Sequence, residues 1–379
     1  MARRRRILLA RSLDRDNTNA QSLNAKALTR HWRYDRFDVH AFHHHQAAPH
    51  ARDNPHITLI DLGADRLWRA RALWRYLNQP WDLVFYPDYF DSTATLAVRL
   101  LKRLRPRTPV VTTLEGLAGD AQREALLSQH NGHKVYCMRG RRLDNWDSQM
   151  QRADRIAAIS PFLARMGRVQ YGDKIDVLPL GVDLTLFHPP SSKAVNARPQ
   201  VVSVGNLNGD NKRPSLFLAL AQRYAQADFI WVGDGDQRSA LRRRAQELEM
   251  RNLSFPGPYP AQQVADLLRQ ADIFVMTSES EGNPKSLQEA VACGLPGVAR
   301  INYQPPSIED GLNGFLAEDD EQLAARVGQL INTPQLAREM GAQGARMAQE
   351  WSWEQVAPQW EAWLDRQMSD ISAAQPEEA

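Results

Sequence analysis

Short apolar runs of strand length alternate with longer amphipathic stretches along almost all of this 379-residue chain, and the alternation stops once and then restarts. A strand, a helix and another strand in series close most readily as a parallel sheet with helices on both faces. In the first half the residues predict strands over Arg6–Ala10, Asp38–Phe42, Ile57–Asp61, Leu83–Tyr86, Val110–Thr113, Arg155–Ile159 and Lys174–Leu178. Helices are predicted over Ala20–His31, Leu67–Leu77, Thr93–Leu104 and Pro161–Tyr171. Ser160 before Pro161 marks a helix start, a hydroxyl cap followed by proline in the first turn.

The break falls at His188-Pro189-Pro190-Ser191-Ser192-Lys193 and Ala197-Arg198-Pro199, which are rich in proline and serine and lack periodicity. Beyond it, strands are predicted over Val201–Val204, Phe229–Val232, Leu253–Phe255, Ile273–Met276 and Gly297–Ala299. Helices are predicted over Pro214–Ala225, Arg238–Met250, Ala261–Gln270, Leu287–Ala292, Glu321–Asn332, Pro334–Glu350 and Trp353–Met368. The expected organisation is a domain over residues 1–188, a linker over 189–199, a second domain over 200–352 and a C-terminal helix over 353–371. The length suits two domains of about 190 residues. Two doubly wound α/β domains facing each other would bring the carboxyl ends of both sheets to one cleft, where ligands bind in such folds.

Charge divides with the domains. Residues 1–190 carry 30 Lys+Arg against 19 Asp+Glu, while residues 191–379 carry 17 against 25. A basic half suggests an anionic partner on that side, or else a solvated basic surface. No apolar run approaches the ~18 residues that would span a bilayer. Ile7–Ala10 after Arg3–Arg6 is too short for a signal-peptide core. Cys137 and Cys293 form no disulfide or zinc pattern, which suits a reducing cytoplasm. The histidines between His31 and His56 show no ligand spacing, so no metal is expected there.

Three segments carry chemistry. In Ser278-Glu279-Ser280-Glu281-Gly282-Asn283-Pro284-Lys285-Ser286-Leu287-Gln288-Glu289, two carboxylates, Glu281 and Glu289, straddle a Gly/Asn/Pro turn and a helix start. Free N–H groups and the helix dipole make that order of elements a site for an anion. The structural alternative is a capping box, in which Ser286 and Glu289 satisfy the helix's own first amides. In Val204-Gly205-Asn206-Leu207-Asn208-Gly209-Asp210-Asn211-Lys212-Arg213-Pro214, a strand ends at Gly205, and Lys212 and Arg213 precede the next helix. That is the arrangement of a phosphate site or of an ordinary strand–helix turn. Gly233-Asp234-Gly235-Asp236 reads as turn and cap chemistry rather than a metal pair.

In order along the chain, Asp272-Ile273-Phe274-Val275, Glu281-Gly282-x-Pro284, Glu289-Ala290 and Cys293-Gly294-Leu295-Pro296 closely resemble the signature of family-four retaining glycosyltransferases of the GT-B fold. Pro179-Leu180-Gly181-Val182-Asp183 and Phe187-His188-Pro189 resemble that family's domain-closing segment. Gly233-Asp234-Gly235, Phe255-Pro256-Gly257 and Asp310-Gly311-Leu312-Asn313-Gly314-Phe315 fall at the expected places. The resemblance runs from about Val110 to Trp353. It implies an N-terminal acceptor-side domain, a C-terminal nucleotide-sugar domain, and transfer of a sugar from a nucleotide diphosphate sugar to an acceptor hydroxyl with retained configuration. It implies no cofactor and no obligatory metal. Glu289 would bind the ribose. Glu281 and the loop Gly282, Asn283, Pro284, Lys285 and Ser286, with its free backbone N–H groups, would surround the sugar. Lys212, with Arg213, would neutralise the diphosphate beside Gly205.

Three departures accompany it. Asn206 stands where the family has arginine, Glu115 where it often has histidine, and the loop Arg11–Ala20 lacks the usual glycine pair. Asp16-Asn17-Thr18-Asn19 would cradle phosphate or acceptor with side chains. A non-catalytic GT-B protein that binds a nucleotide sugar or glycan is therefore the competing class. The Arg/Trp-rich stretch Leu67–Leu77 and the basic strip Arg99, Lys102, Arg103, Arg105 and Arg107 would dock an anionic membrane or a glycan or lipid-linked acceptor. The alternative is core tryptophan under a solvated basic face. The expectation is a cytoplasmic enzyme, peripheral at the inner face of the cell membrane, that builds surface glycan, lipopolysaccharide or glycolipid and uses no nucleic acid.

Overall fold

The computed structural model describes residues 3–17, 20–88, 91–116, 141–193, 195–208 and 211–373. The chain forms two compact units. The first runs to Leu180 and takes in the C-terminal segment from Trp353; the second contains Gly181–Ser352. The expected first boundary at residue 188 thus moves to Gly181. The segment read as a free linker lies against the second unit. Asn196 Nδ2 donates to Gln270 O at 2.8 Å, and Lys193 pairs with Asp272 at 3.3 Å. Proline and serine suppressed the periodicity there without freeing the chain.

In the first unit the strands are β1 (Arg5–Ser12), β2 (Phe37–His43), β3 (Ile57–Asp61), β4 (Leu83–Phe85), β5 (Val110–Leu114), β6 (Arg155–Ala158) and β7 (Ile175–Val177). They form one sheet in the order β3-β2-β1-β4-β5-β6-β7, and every pairing is parallel. In the second unit β8 (Gln200–Val204), β9 (Asp228–Val232), β10 (Leu253–Gly257), β11 (Ile273–Val275), β12 (Gly297–Arg300) and β13 (Gly314–Ala317) form the sheet β10-β9-β8-β11-β12-β13, again parallel. Strands buried on both faces explain the short, uniformly apolar runs. In each sheet the order reverses beside the unit's first strand, between β1 and β4 and between β8 and β11. Loops leaving the carboxyl ends of those pairs diverge to opposite faces and leave a crevice.

Ser160 caps the Pro161–Tyr171 helix by accepting from Leu163 N–H at 3.2 Å. Besides the short helical turns Pro49–Arg52 and Ile301–Tyr303, two elements among the described residues were not foreseen. β13 opens with Gly314, whose missing side chain lets it lie against Gly297; a Cβ there would stand 2.2 Å from Gly297 O. The helix Arg141–Arg152 is so polar that only Trp146 and Met150 mark its buried face.

The C-terminal helix Trp353–Ala373 belongs to the first unit. Trp360 and Trp363 are fully buried, and their indole N–H groups donate to Pro179 O and to the Asp176 carboxylate, each at 2.8 Å. Glu361 accepts from the backbone amides of Arg33 and Tyr34 at 2.9 and 3.0 Å. Trp360→Ala would remove a buried aromatic and orphan the Pro179 carbonyl, so a loss of about 3–5 kcal/mol is expected in urea unfolding followed by circular dichroism.

Candidate active site

The crevice of the second unit is built from the loops that follow β8 and β11. Lys212, from the first, meets Glu281, from the second, with Nζ 2.5 Å from Oε1; both side chains are largely buried. The lysine stem runs beside the glycine that ends β8. A Cβ on Gly205 would stand 3.7 Å from Lys212 Cε. Removing one partner of such a pair leaves an uncompensated buried charge, which costs about 3–5 kcal/mol.

Asn211 fixes the register of the two loops. Its side-chain amide donates to Ser280 O at 2.9 Å and accepts from Ser280 N–H at 3.1 Å, while its carbonyl accepts from Glu279 N–H at 2.8 Å. Thr277 Oγ1 donates to Lys212 O at 2.7 Å. Neither Asn211 nor Thr277 drew notice in the sequence, because an Asn in a polar loop and a Thr at a strand end carry no local signal.

Arg213 takes the left-handed conformation (φ 49°) immediately before Pro214, where the following proline disfavours the right-handed helical region. Its guanidinium is held by Glu279 at 3.1 Å and by Asp320, which Arg300 also grips at 2.5 Å. Arg213, first among these partners, holds the Asp320 carboxyl below its usual range. Arg213 therefore braces the acidic loop through the far end of the sheet and does not join the Lys212–Glu281 pair. Asn206 is exposed, and its side-chain oxygen closes a short turn on Asn208 N–H at 3.4 Å.

The helix Lys285–Ala292 starts with Pro284 at the cap position, and no side chain caps it. Ser286 is thus inside the helix, and the capping box does not form. Among the described residues the Glu289 carboxylate has no hydrogen-bond partner, and desolvation, eased by Lys285, pushes it up to about 7. Gly282 and Pro284 are buried, while Asn283, Lys285 and Ser286 are partly exposed. Asn283 Oδ1 is buried without a partner. Asp234, by contrast, accepts from Gly235 N–H at 3.0 Å and faces Arg238 at 3.6 Å, the turn role expected of it.

In the first unit, Glu115 follows β5 and accepts from Tyr86 Oη, from Asn24 Nδ2 at 3.0 Å and from Thr113 Oγ1 at 3.1 Å. Burial pushes its carboxyl up, against the pull of those donors and of Arg11. Arg11 pairs with Asp88 and lies 5.2 Å from the Tyr86 ring centroid. Asn17 stays in the loop after β1, its carbonyl accepting from Lys26 Nζ at 2.7 Å; Thr18 and Asn19 lie outside the described residues, as does Cys137.

The sequence model of the glycosyl transferases group 1 matches residues 198–333, and that of glycosyltransferase family 4 matches residues 25–186. The chain is 27% identical over 267 residues to a GDP-mannose-dependent monoacylated alpha-(1-6)-phosphatidylinositol monomannoside mannosyltransferase of Corynebacterium glutamicum, covering 64% of this chain and 70% of that one. It is 26% identical over 275 residues to the putative colanic acid biosynthesis glycosyltransferase WcaL of Salmonella typhimurium, covering 68% and 64%. In fold it is similar to Anabaena HepE in complex with UDP-glucose, with a TM-score of 0.72 at 18% identity, covering 95% of this chain and 99% of that one. Sucrose-phosphate synthase from Thermosynechococcus elongatus gives 0.74 at 19% identity, covering 97% and 100%.

Asn211→Asp would set a carboxylate oxygen against Ser280 O in place of the amide donor. A stability loss of about 1–3 kcal/mol in chemical denaturation is expected, with Asn211→Ala at the lower end of that range.

Proposed function

This chain belongs to the family 4, group 1 glycosyltransferases, which have the GT-B fold, and we propose that it moves a sugar from a nucleoside diphosphate sugar to a glycan or lipid-linked acceptor hydroxyl, with retained configuration and no obligatory metal. The observation that carries this reading is the Lys212–Glu281 pair between β8 and β11, beside an uncapped helix start. In the reaction the bond between the anomeric carbon and the diphosphate oxygen breaks, and its electron pair leaves with the diphosphate. The acceptor oxygen forms the new bond and passes its proton to the departing diphosphate oxygen. Lys212 faces the charge that grows on the leaving group, the kind of electrostatic stabilisation that is often the largest catalytic contribution. Glu281 and the backbone N–H groups of Gly282, Asn283, Lys285 and Ser286 surround the sugar, with Pro284 shaping the turn between them. Glu289, a carboxylate with no partner of its own, accepts the two ribose hydroxyls. Cationic charge from lysine serves the diphosphate in the place a divalent metal takes elsewhere. The naming of relatives for GDP-mannose use and for colanic acid biosynthesis supports a role in assembling surface glycan or glycolipid.

Glu289 makes the donor site sensitive to pH. To accept two hydroxyl protons its carboxylate must be ionised, and in the free protein it is half protonated near pH 7. Binding then lowers its pKa and releases a proton, so affinity falls as pH drops below about 7, by up to about tenfold per pH unit. UDP and GDP, tested by thermal shift and calorimetry at pH 6 and pH 8, should bind more tightly at pH 8. Glu289→Gln should bind weakly at both. No shift with either nucleotide at pH 8 would sink the donor-site assignment.

The first unit offers a surface for an anionic acceptor membrane. The helices Trp68–Asn78 and Ser92–Leu104 expose Leu67, Trp74 and Leu104 to 62%, 60% and 65%. Arg66, Arg69, Arg75, Arg99, Arg103 and Arg107 share this pair of helices and their flanks, and among the described residues none of them pairs with a carboxylate. Arginine beside exposed indole and leucine suits an anionic lipid interface. No helix among the described residues is long and apolar enough to cross a membrane. The protein should float with vesicles containing phosphatidylglycerol and not with pure phosphatidylcholine. Trp74→Ala with Arg75→Glu should abolish that binding and leave nucleotide binding unchanged; equal flotation with both vesicle types would refute the membrane face.

A further inference from the structure

The loop that carries Glu281 follows β11, and the strand order β8-β11-β12 sets it between the loop after β8 and the turn after β12. Asn211 holds it from the β8 side, through three hydrogen bonds to Glu279 and Ser280. Asn302 holds it from the β12 side. This residue sits in the short helical turn Ile301–Tyr303, and its Nδ2 donates to Glu279 O at 2.6 Å. A carbonyl only accepts, so the contact also fixes which end of the Asn302 amide is nitrogen.

Together the two asparagines engage every backbone polar group of Glu279 and Ser280, the two residues that lead into Glu281. The Glu279 carboxylate is held as well, by Arg213 at 3.1 Å. A loop gripped along one edge can pivot about it, whereas one gripped along both edges cannot. The platform under Asn302 is stiff. Gln304 N–H closes the turn on Ile301 O at 3.0 Å, Pro305 and Pro306 follow, and the neighbouring Tyr303 is buried. Stability alone does not account for this asparagine. It is 3% exposed, and its Oδ1 is buried with no partner among the described residues. A buried acceptor left unpaired offsets what the single hydrogen bond to Glu279 contributes. What the side chain adds is the fixed orientation of the peptide two residues before Glu281.

We propose that Asn302 is a positioning residue for Glu281, one half of a two-asparagine clamp that fixes the aim of the carboxylate at the donor sugar. The clamp rests on the nucleotide-sugar reading above and divides that site in two. Lys212 and Glu289, which serve the diphosphate and the ribose, make no hydrogen bond with Asn302 among the described residues. Loss of the clamp is therefore felt at the sugar and at the reacting bond, while the grip on the nucleotide stays.

Asn302→Leu tests the clamp, because it keeps the bulk and exchanges one unpaired acceptor, Asn302 Oδ1, for another, Glu279 O. Asn302→Ala is the second variant. A thermal-shift panel of UDP, GDP, UDP-glucose, UDP-N-acetylglucosamine and GDP-mannose on the unsubstituted protein selects the donor. Calorimetry then gives the Kd of that nucleotide sugar and of its free nucleotide, and hydrolysis without acceptor gives kcat and KM. In Asn302→Leu the melting temperature and the Kd of the free nucleotide should stay nearly unchanged. The Kd of the nucleotide sugar should rise about fivefold relative to that of the free nucleotide, and kcat should fall about tenfold. Asn302→Ala should show the same split. An unchanged ratio of the two Kd values with unchanged kcat would overturn the clamp and leave the donor site standing. A melting temperature that drops sharply in both variants, with free-nucleotide binding lost in step with kcat, would mark the asparagine as purely structural and overturn it too. If no nucleotide or nucleotide sugar shifts the unsubstituted protein, the donor-site reading fails before any substitution is made, and the clamp falls with it.

Discussion

The ion pair between Lys212 and Glu281 is the constraint around which the second unit is organised. It joins two loops that leave neighbouring strands for opposite faces of a parallel sheet, so neither loop alone determines where its charge sits. Two charges this far from water are tolerated only with close geometry and supporting hydrogen bonds. The fold supplies both. Asn211 locks the loops backbone to side chain, and Arg213, Glu279, Asp320 and Arg300 form a second tier of alternating charge behind them. A pair held this way keeps a cation and a carboxylate poised at the mouth of a helix.

Unpaired groups are as informative here as paired ones. Most buried polar atoms in a folded protein find partners, yet Asn283 Oδ1 and Asn302 Oδ1 do not, and they belong to the loop after β11 and the turn after β12; the partly buried Glu289 carboxylate, on the helix that loop leads into, also has no hydrogen-bond partner among the described residues. The same unit satisfies Asp234 and Asn208 completely through turn hydrogen bonds. Some stability is given up beside the helix start, as expected where a ligand completes the bonding, although Ser203 Oγ, Arg300 Nε and Ser307 Oγ of the same unit are also buried without a partner among the described residues.

The first unit answers its own crevice differently. Glu115 is surrounded by three donors and by Arg11 nearby, so its carboxylate is already satisfied. The unit also recruits the C-terminal helix, whose Trp360 and Trp363 reach the carbonyl of Pro179 just after β7 and the Asp176 side chain of β7.

Much was legible in the sequence because it rests on short-range physics. Strand and helix periodicities gave parallel α/β units, and Ser160-Pro161 gave a helix start to the residue. The spacing of Glu281 and Glu289 around Gly-Asn-Pro marked the candidate site. The capping box at Ser286 was also a short-range reading, and it failed because the helix begins two residues earlier, at Lys285 after Pro284. The extent of the linker failed because proline-rich chain can dock as well as hang free. What only the tertiary structure decided is which distant groups meet. Lys212 and Glu281 are brought together by the strand order β8-β11. Arg213 is held by Asp320, more than a hundred residues away, and Asn211 acquires a role that no neighbouring residue announces. Parallel pairing joins strands that are far apart in the chain, so the partners of a loop side chain depend on sheet order, and sheet order is a property of the whole core rather than of any local run of residues.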